Sequence, residues 1–224
     1  LEISLESYQI EESKEVVSLR RKIGIGICGL ADMLVKLGIP YDSEEGRETA
    51  RDVVAFINYT SKVASHELAQ VRGSFRAMDL LYGCRHTEEP SYVQQRYGNQ
   101  TTRWVSETDW YSLGNKIRKT RLLRHSTTIA LPPTGRSGLV INASPGVEPL
   151  FSLKDPDGQV REVVRQLLPN QEILQKISDS GKLPEGAPND LKRVLVTSTD
   201  IAAIDHLKMV AALQTVVDES ISKT

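Results

Sequence analysis

The residues best suited to chemistry lie in one short segment of this 224-residue sequence, Thr127–Gly138. A β-branched, apolar run is followed there by two prolines and a Thr-Gly-Arg-Ser run. Free backbone N–H groups at a helix start, with hydroxyl groups facing the same point, can hold an anion such as a phosphate. An arginine can add bidentate charge pairing. We therefore predict a phosphate-binding loop, with an ordinary Pro-Gly turn as the alternative. The predicted binding residues are Pro133, Thr134, Gly135, Arg136, Ser137 and Gly138.

The remaining reactive side chains form no second candidate site. The two cysteines, Cys28 and Cys84, make neither a CxxC pair nor a Cys/His pair at the spacing of zinc ligands. The four histidines are scattered, and we interpret them as surface or core residues. The sequence therefore predicts no metal site and no disulfide framework, and a reducing cytoplasm is the expected compartment.

Composition excludes two broad classes of function. The net charge of -1 gives no general case for nucleic-acid binding. No apolar run approaches the roughly 18 residues that a membrane-spanning helix needs. We therefore expect neither a nucleic acid nor a membrane as partner.

The pattern mixes a few buried strands with longer and more numerous helices, which favours an α/β fold. Strands are predicted at Lys22–Gly29, Ser126–Leu131 and Val194–Val196, and a new element begins at Gly138. Helices are predicted over Leu30–Gly38, from Asp42 or Ser43 to Gly73, over Leu113–Leu122, Val160–Leu168 and Gln171–Ser178, and from Thr199 or Asp205 to Val217. Residues 1–20 are a lead-in, helical or mobile, and residues 78–108 a long irregular loop. We interpret residues 1–224 as a single domain whose sheet is completed by residues outside this chain.

Several blocks resemble, in the same order, the large catalytic chain of ribonucleotide reductases. Arg21–Leu34 resembles the family's R-x-I-G-x-G-x-x-G-L-A-D-M-L segment, Pro133–Gly135 its P-T-G-T-x-S substrate-phosphate loop, and Gly146–Phe151 its G-I-E-P-x-F segment. The further blocks are Leu37–Ser43, Leu122–Thr127, Val194–Ile201, His206–Met209, Val217–Asp218 and Ser220–Thr224. The sequence looks most like the adenosylcobalamin-dependent class II branch, and class I large subunits are the near alternative.

The resemblance implies a helix-rich part of a ten-stranded α/β barrel, namely its second half-barrel. It implies reduction of ribonucleotides to deoxyribonucleotides for DNA synthesis, by a thiyl radical on a finger loop and a reducing cysteine pair. The complete enzyme would use adenosylcobalamin. The implied partners are the ribonucleotide substrate and a polypeptide that carries the finger-loop cysteine, either the N-terminal remainder or a separate chain, within an oligomer.

The sequence departs from the family at the positions that carry chemistry. The finger motif N-x-C-x-E is absent, Cys28 stands where Met is common, and Cys84 matches no catalytic cysteine. Arg136 replaces a small hydroxyl residue, Gly138 a serine, and His125 an asparagine. The resemblance thus implies that this chain has no catalytic residue and binds no cofactor alone, but supplies barrel structure and the substrate-phosphate loop.

Two functions are compatible with these features. The first is a part of a working reductase, either a fragment or the small chain of a split enzyme. The second is a non-catalytic, reductase-like binding or regulatory module.

Overall fold

The structure is a computed structural model that describes residues 9–78, 91–168 and 170–224. Its packing divides the chain into two compact units. Unit 1 contains the described part of Leu1–Ile25, Arg51–Ala130 and Gln214–Ser220. Unit 2 contains Gly26–Ala50, Leu131–Leu213 and Ile221–Thr224. Each unit therefore joins stretches that are far apart in sequence, and the interpretation of residues 1–224 as one domain stays a prediction.

Helices are the regular elements of both units. Over the described ranges they are α1 (Glu11–Arg20), α2 (Leu30–Leu37), α3 (Glu44–Arg72), α4 (Tyr92–Tyr97), α5 (Glu107–Thr120), α6 (Gly135–Val140), α7 (Glu162–Leu167), α8 (Gln171–Ser180), α9 (Asn189–Val194) and α10 (Ala203–Gln214). Among these helices, none combines the length and the apolar character that crossing a membrane requires. The expectation of a helix-rich fold is confirmed.

Backbone pairing between distant segments takes the form of isolated bridges in the part of the chain that is described. Parallel bridges join Ile25 to Ile129, Leu131 to Ile221 and Leu150 to Thr197, and antiparallel bridges join Cys28 to Pro145 and Lys154 to Val160. The first two predicted strands thus lie where segments pair, but they do not extend into ladders. The sheet of an α/β barrel is accordingly not seen within these residues.

The predicted strand at Val194–Val196 is wrong. Val194 is the last residue of α9, and the bridge to Leu150 is made by Thr197 instead. Acidic Asp190 lies in the first turn of α9 and basic residues lie in its last turn, an arrangement that the helix dipole favours. This helix-stabilising charge pattern outweighs the β-branched composition of a three-residue run.

The predicted irregular segment at 78–108 is wrong in the part that is described. Tyr92–Tyr97 forms α4, and α5 already begins at Glu107. Both helices start with capping boxes, formed by Ser91 with Gln94 and by Ser106 with Asp109, which satisfy the free N–H groups of the first turn. Residues 79–90 of the predicted segment lie outside the described residues.

The core of unit 1 forms around these two helices. Its buried members are Phe75, Met78, Val93, Tyr97, Val105, Trp110, Leu113, Ile117 and Leu123. The rings of Tyr97 and Trp110 stack with their centroids 4.8 Å apart, and α4 packs against α5. Aromatic pairs of this kind contribute about 0.5 to 1.5 kcal/mol beyond the area they bury.

In unit 2, α2 packs against α7. The buried face of α2 consists of Leu30, Ala31, Leu34 and Val35. Gly38 ends the helix as predicted, with a φ of 72° and an N–H bonded to carbonyl groups of the last turn. The short helix therefore has a fixed position within unit 2.

Candidate functional site

The 133–138 loop lies in unit 2 and leads into α6, which begins at Gly135. Thr134 precedes the helix with a left-handed φ of 45°. The N–H group of Gly138 donates to the carbonyl of Thr134, at 2.8 Å. No acceptor among the described residues faces the N–H groups of Gly135, Arg136 and Ser137. Three consecutive donors are thus available to an external anion.

The hydroxyl of Thr134 holds the loop from within the protein. It donates to the carbonyl of Ile27, at 3.2 Å, and accepts from the N–H of Gly146, at 2.6 Å. Its only proton is therefore committed, and a phosphate could not receive it. Thr134 is placed to fix the loop between two neighbouring segments, whereas the side chains of Arg136 and Ser137 are exposed.

The two glycines of the loop have different structural roles. A Cβ at Gly138 would lie 2.8 Å from the carbonyl oxygen of Ala143, so the fold itself requires glycine there. A Cβ at Gly135 would meet no atom within 4 Å, and the φ of Gly135 is not left-handed. The fold thus has room for a side chain at position 135, directly beside the three free N–H groups.

The segment Pro145–Glu148, here called the support segment, lies behind the loop. The N–H of its Gly146 donates to the Thr134 hydroxyl, as described above, and Pro145 forms the antiparallel bridge with Cys28. The buried hydroxyl of Tyr41 donates to the carbonyl of Val147. Burial, with a smaller contribution from the charge of Glu148, raises the pKa of Tyr41 above its ordinary value, so the phenol remains a donor.

Glu148 is a buried carboxylate with two partners from the end of the sequence. Its Oε2 lies 2.6 Å from the Nζ of Lys223, and its Oε1 accepts from the N–H of Thr224 at 2.7 Å. The side chains of Lys223 and Glu148 are 8% and 6% exposed. The segment Ile221–Thr224, here called the clamp segment, is therefore fixed to the support segment by charge-assisted hydrogen bonds.

Ser144 caps α2 although it lies far away in the sequence. Its Oγ accepts from the N–H of Ala31 at 3.1 Å and from that of Asp32 at 3.4 Å. In return, the carboxylate of Asp32 accepts from the N–H of Ser144. This reciprocal pair does what a capping box does, but with its serine supplied by another segment, because Gly29 at the helix start has no side chain.

One buried charged cluster, in unit 1, is missed by reasoning from the sequence. Lys62 Nζ lies 2.7 Å from Asp218 Oδ2, and their side chains are 1% and 0% exposed. Asp218 also accepts from the hydroxyl of Tyr97 and from the N–H of Thr128. Burial opposes ionisation of Asp218, but the charge and hydrogen bonds of Lys62, with the bonds from Thr128 and Tyr97, hold its pKa below the ordinary value. The available signal was a lysine at the spacing of the buried face of α3.

Comparison with known proteins places the whole described chain within one family model. The model is described as the ribonucleotide reductase barrel domain, and it matches residues 2–224. The match covers both compact units, as well as the 133–138 loop and the clamp segment.

Curated relatives cover nearly all of this chain. A vitamin B12-dependent ribonucleoside-diphosphate reductase of Thermoplasma acidophilum is 30% identical, over 99% of this chain and 26% of its own length. The enzyme of the same name from Mycobacterium tuberculosis H37Rv is 26% identical, over 99% of this chain and 29% of its own. The ribonucleoside-diphosphate reductase large subunit of Caenorhabditis elegans is 25% identical over 97% of this chain. The chain therefore spans between a quarter and a third of the length of these relatives.

A solved structure shares the fold. The alpha subunit of the class Id ribonucleotide reductase of Actinobacillus ureae superposes with a TM-score of 0.68 at 18% sequence identity. The superposition covers 96% of this chain and 35% of the alpha subunit. This likeness bears on the fold alone.

Proposed function

Because the chain belongs to the ribonucleotide reductase barrel-domain family, we propose that it forms part of the large, catalytic polypeptide of such an enzyme. The complete enzyme would reduce ribonucleoside diphosphates to 2′-deoxyribonucleoside diphosphates. The names of the B12-dependent and large-subunit relatives support this activity. Within it, this chain would form the second half of a ten-stranded barrel and supply no catalytic residue.

The role of this chain, in our proposal, is to bind the substrate phosphates at the 133–138 loop. The observation that carries the proposal is the set of three adjacent N–H groups, at Gly135, Arg136 and Ser137, without an acceptor in the described chain. The Thr134 hydroxyl holds the loop in place behind them, so these donors are already oriented before an anion arrives. Preorganised donors bind an anion without the cost of ordering a mobile loop.

Gly135 supports the same proposal. Neither steric contact nor backbone conformation requires glycine at this position. A phosphate held by the adjacent N–H groups would favour glycine, because a residue without a Cβ lets the backbone come closest to the ligand. Glycine is used elsewhere for this reason, to let the backbone come close to a ligand.

Arg136 and Ser137 would complete the anion site. Arg136 is exposed and makes no ion pair with any described residue, so its guanidinium is available for a bidentate contact. The hydroxyl of Ser137 is likewise exposed and without a partner in the described chain. Charge from Arg136 would then compensate for the hydroxyl groups that the resemblance leads one to expect in this loop.

The radical chemistry would come from elsewhere in the complete enzyme. Adenosylcobalamin would supply the initiating radical there, as the names of the B12-dependent relatives suggest. Among the described histidines, His66 and His125 are buried, and Nε2 of His206 lies 3.3 Å from the carbonyl oxygen of Ser198. We propose that the cofactor belongs to the complete enzyme and that this chain does not bind it alone.

The partner of this chain would be the part of the reductase that carries the finger-loop cysteine. Consecutive apolar residues at the end of α6, namely Leu139, Val140 and Ile141, are strongly exposed. Such a patch beside a substrate loop is suited to packing against another polypeptide segment. The chain spans only 26% of the Thermoplasma relative, which leaves a large partner segment to cover it.

A glycine substitution tests the phosphate site directly. In the complete reductase, we expect Gly135→Ala to raise the KM for a ribonucleoside diphosphate about tenfold or more, which corresponds to about 1.4 kcal/mol. The thermal unfolding midpoint should stay unchanged because the added Cβ meets no protein atom. Gly186→Ala is the matched control, since a Cβ there also meets nothing and the φ is not left-handed. A KM that responds equally to both variants, or to neither, contradicts the proposal.

An arginine substitution tests the charge. Arg136→Ala should raise KM by about 10-fold to 150-fold, because a hydrogen bond to a charged group contributes about 1.5 to 3 kcal/mol. The value of kcat should change much less, since phosphate contacts are alike in the ground and transition states. An unchanged KM would identify the loop as an ordinary Pro-Gly turn.

A further inference from the structure

We propose that Glu148 and Lys223 are positioning residues for the phosphate loop, acting through the support segment. This inference rests on the proposed function of the 133–138 loop. Neither side chain points to the free N–H groups in the way a binding residue would, because each is buried and bonded to the other. Their effect on a bound phosphate would be indirect.

The first step from the ion pair to the loop passes through Gly146. Glu148 is the last residue of the support segment, and its own N–H donates to the carbonyl of Pro145, at 3.0 Å, which closes the segment into a tight turn. Gly146 lies within that turn and donates to the Thr134 hydroxyl. A shift of Glu148 would therefore move the group to which the start of the loop is bonded.

The second step passes through the clamp segment. Ile221 forms a parallel bridge with Leu131, and the N–H of Ser222 donates to the Leu131 carbonyl at 2.8 Å. Lys223 and Thr224 then bind Glu148. Four consecutive residues thus contact the chain both before the loop, at Leu131, and after it, at Glu148. The clamp segment therefore fixes the distance between the two stretches of chain that flank the loop, at Leu131 and at Glu148.

The segment before the loop and the support segment after it are also in close contact. The loop therefore has little freedom to compensate for a displacement of either segment. A Cβ at Gly146, whose φ is 51°, would lie 3.0 Å from the carbonyl oxygen of Pro132. Lys223–Glu148 is the one ion pair of unit 2, within the described ranges, in which both side chains are less than a tenth exposed. A buried ion pair adds little net stability, but its directional bonds can specify one register among several.

Single and double substitutions separate positioning from stability. We expect Lys223→Met and Glu148→Gln, made in the complete reductase, each to lower the unfolding midpoint and to raise the KM for a ribonucleoside diphosphate at least tenfold. The double variant removes both charges, so no unpaired charge stays buried and the midpoint should recover. Its KM should stay raised, because a methionine cannot donate a hydrogen bond to the amide. The value of kcat at saturating substrate should change less than twofold in all three.

Lys62→Met is the control for stability alone. Its partners are Asp218 and Thr128 of unit 1, so it should lower the unfolding midpoint and leave KM unchanged. Tyr41→Phe is a milder variant that removes one hydrogen bond to the support segment and keeps the ring. Tyr41→Phe should raise KM a few-fold, and it tests the same inference if Lys223→Met does not fold.

The outcomes distinguish this inference from the proposed function. The positioning role is overturned if KM changes only with stability across the variants. In that case KM returns to its original value in the double variant and rises in Lys62→Met. A raised KM in Gly135→Ala with an unchanged KM in Tyr41→Phe and in the double variant also overturns it, but leaves the phosphate site standing. An unchanged KM in Gly135→Ala overturns the proposed function itself.

Discussion

The two ring nitrogens of His66 have different surroundings. Nε2 lies 3.1 Å from the hydroxyl of Thr120, and that hydroxyl donates its proton to the carbonyl of Lys116. The tautomer with its proton on Nε2 satisfies both contacts, and it leaves Nδ1 unprotonated, buried and without a partner in the described chain. Protonation of Nδ1 would bury an unsatisfied N–H group. Burial first, and then the charge of Lys116, lower the pKa of His66.

The lowered pKa of His66 predicts a stability that falls in mild acid. Below about pH 6.5, the ordinary histidine pKa, the His66 imidazole binds a proton in the unfolded chain but not in the folded chain. The free energy of unfolding should therefore decrease as the pH falls from 6.5 to the folded-state pKa, with a slope of at most about 1.4 kcal/mol per pH unit. Urea unfolding of the chain at several pH values measures this slope, and His66→Gln should reduce it. Equal slopes in the two proteins would contradict the assignment.

Local patterns in the sequence predict a phosphate-binding loop, but they do not predict the distant partners of single residues. The 133–138 loop is recognisable because proline, glycine and hydroxyl residues meet within six consecutive positions. The hydroxyl of Thr134 is expected from the sequence to face the anion, yet it bonds to Ile27, which lies 107 positions away. The pairing of Lys62 with Asp218 spans 156 positions. Such partners are chosen by tertiary packing, which no local pattern encodes.

Helix α2 depends on a cap that is not part of its own sequence. Ser144 satisfies two N–H groups of its first turn, and Asp32 returns one hydrogen bond to the backbone of Ser144. The same contact joins α2 to the residues just before the support segment. A helix of eight residues is too short to be stable alone, so the contact with Ser144 helps to stabilise α2.

Removal of the cap should destabilise the protein by a predictable amount. Ser144→Ala is expected to lower the free energy of unfolding by about 0.5 to 2 kcal/mol, the range for the loss of an N-cap. Asp32→Ala should lower the free energy of unfolding less in the Ser144→Ala protein than in the unchanged protein, because the two residues form one reciprocal contact. A double-mutant cycle by urea denaturation measures the coupling. Strictly additive effects would show that the two residues act independently.

Helix ends were more predictable than helix presence. Ser43 caps α3 by accepting from the N–H of Gly46, and Gly73 ends it with a φ of 74°, both as the sequence indicates. Helix α4 was missed, although the Ser91-x-x-Gln94 capping box that starts it is visible in the sequence. The bridges of Ile25 and Leu131 required partners from distant segments, so their extent could not be inferred from composition.

At the scale of the whole chain, the proposed function predicts that this polypeptide does not reduce a ribonucleotide by itself. We expect the purified 224-residue chain to show no turnover with adenosylcobalamin, a dithiol and a ribonucleoside diphosphate. The sequence has no N-x-C-x-E motif, and Cys28 is partly buried where its backbone pairs with Pro145. Deoxyribonucleotide formation, followed by chromatography, checks this expectation. Turnover that Cys28→Ser or Cys84→Ser abolishes would place catalysis in this chain.

The architecture of the whole molecule was predictable only through the family. Ordered blocks such as Arg21–Leu34 and Gly146–Phe151 suffice to identify a ribonucleotide reductase barrel region, and the family model confirms it. The division into two compact units was not foreseen, because each unit gathers stretches from both ends of the chain. Local patterns report elements and turns, but not which distant stretches come together.

The ion pair between Lys62 and Asp218 has a consequence for synthesis of the chain. Translation proceeds at about 5 to 20 residues per second, so Asp218 is made roughly 8 to 30 s after Lys62, given the 156 positions between them. Through that interval the nascent α3 carries an ammonium group on the face that is later buried. Burying an unpaired charge is costly, and we expect this to delay closure of unit 1 until Asp218 has been made. A charge that finds its partner only in the finished unit would therefore disfavour premature collapse of that unit on the ribosome.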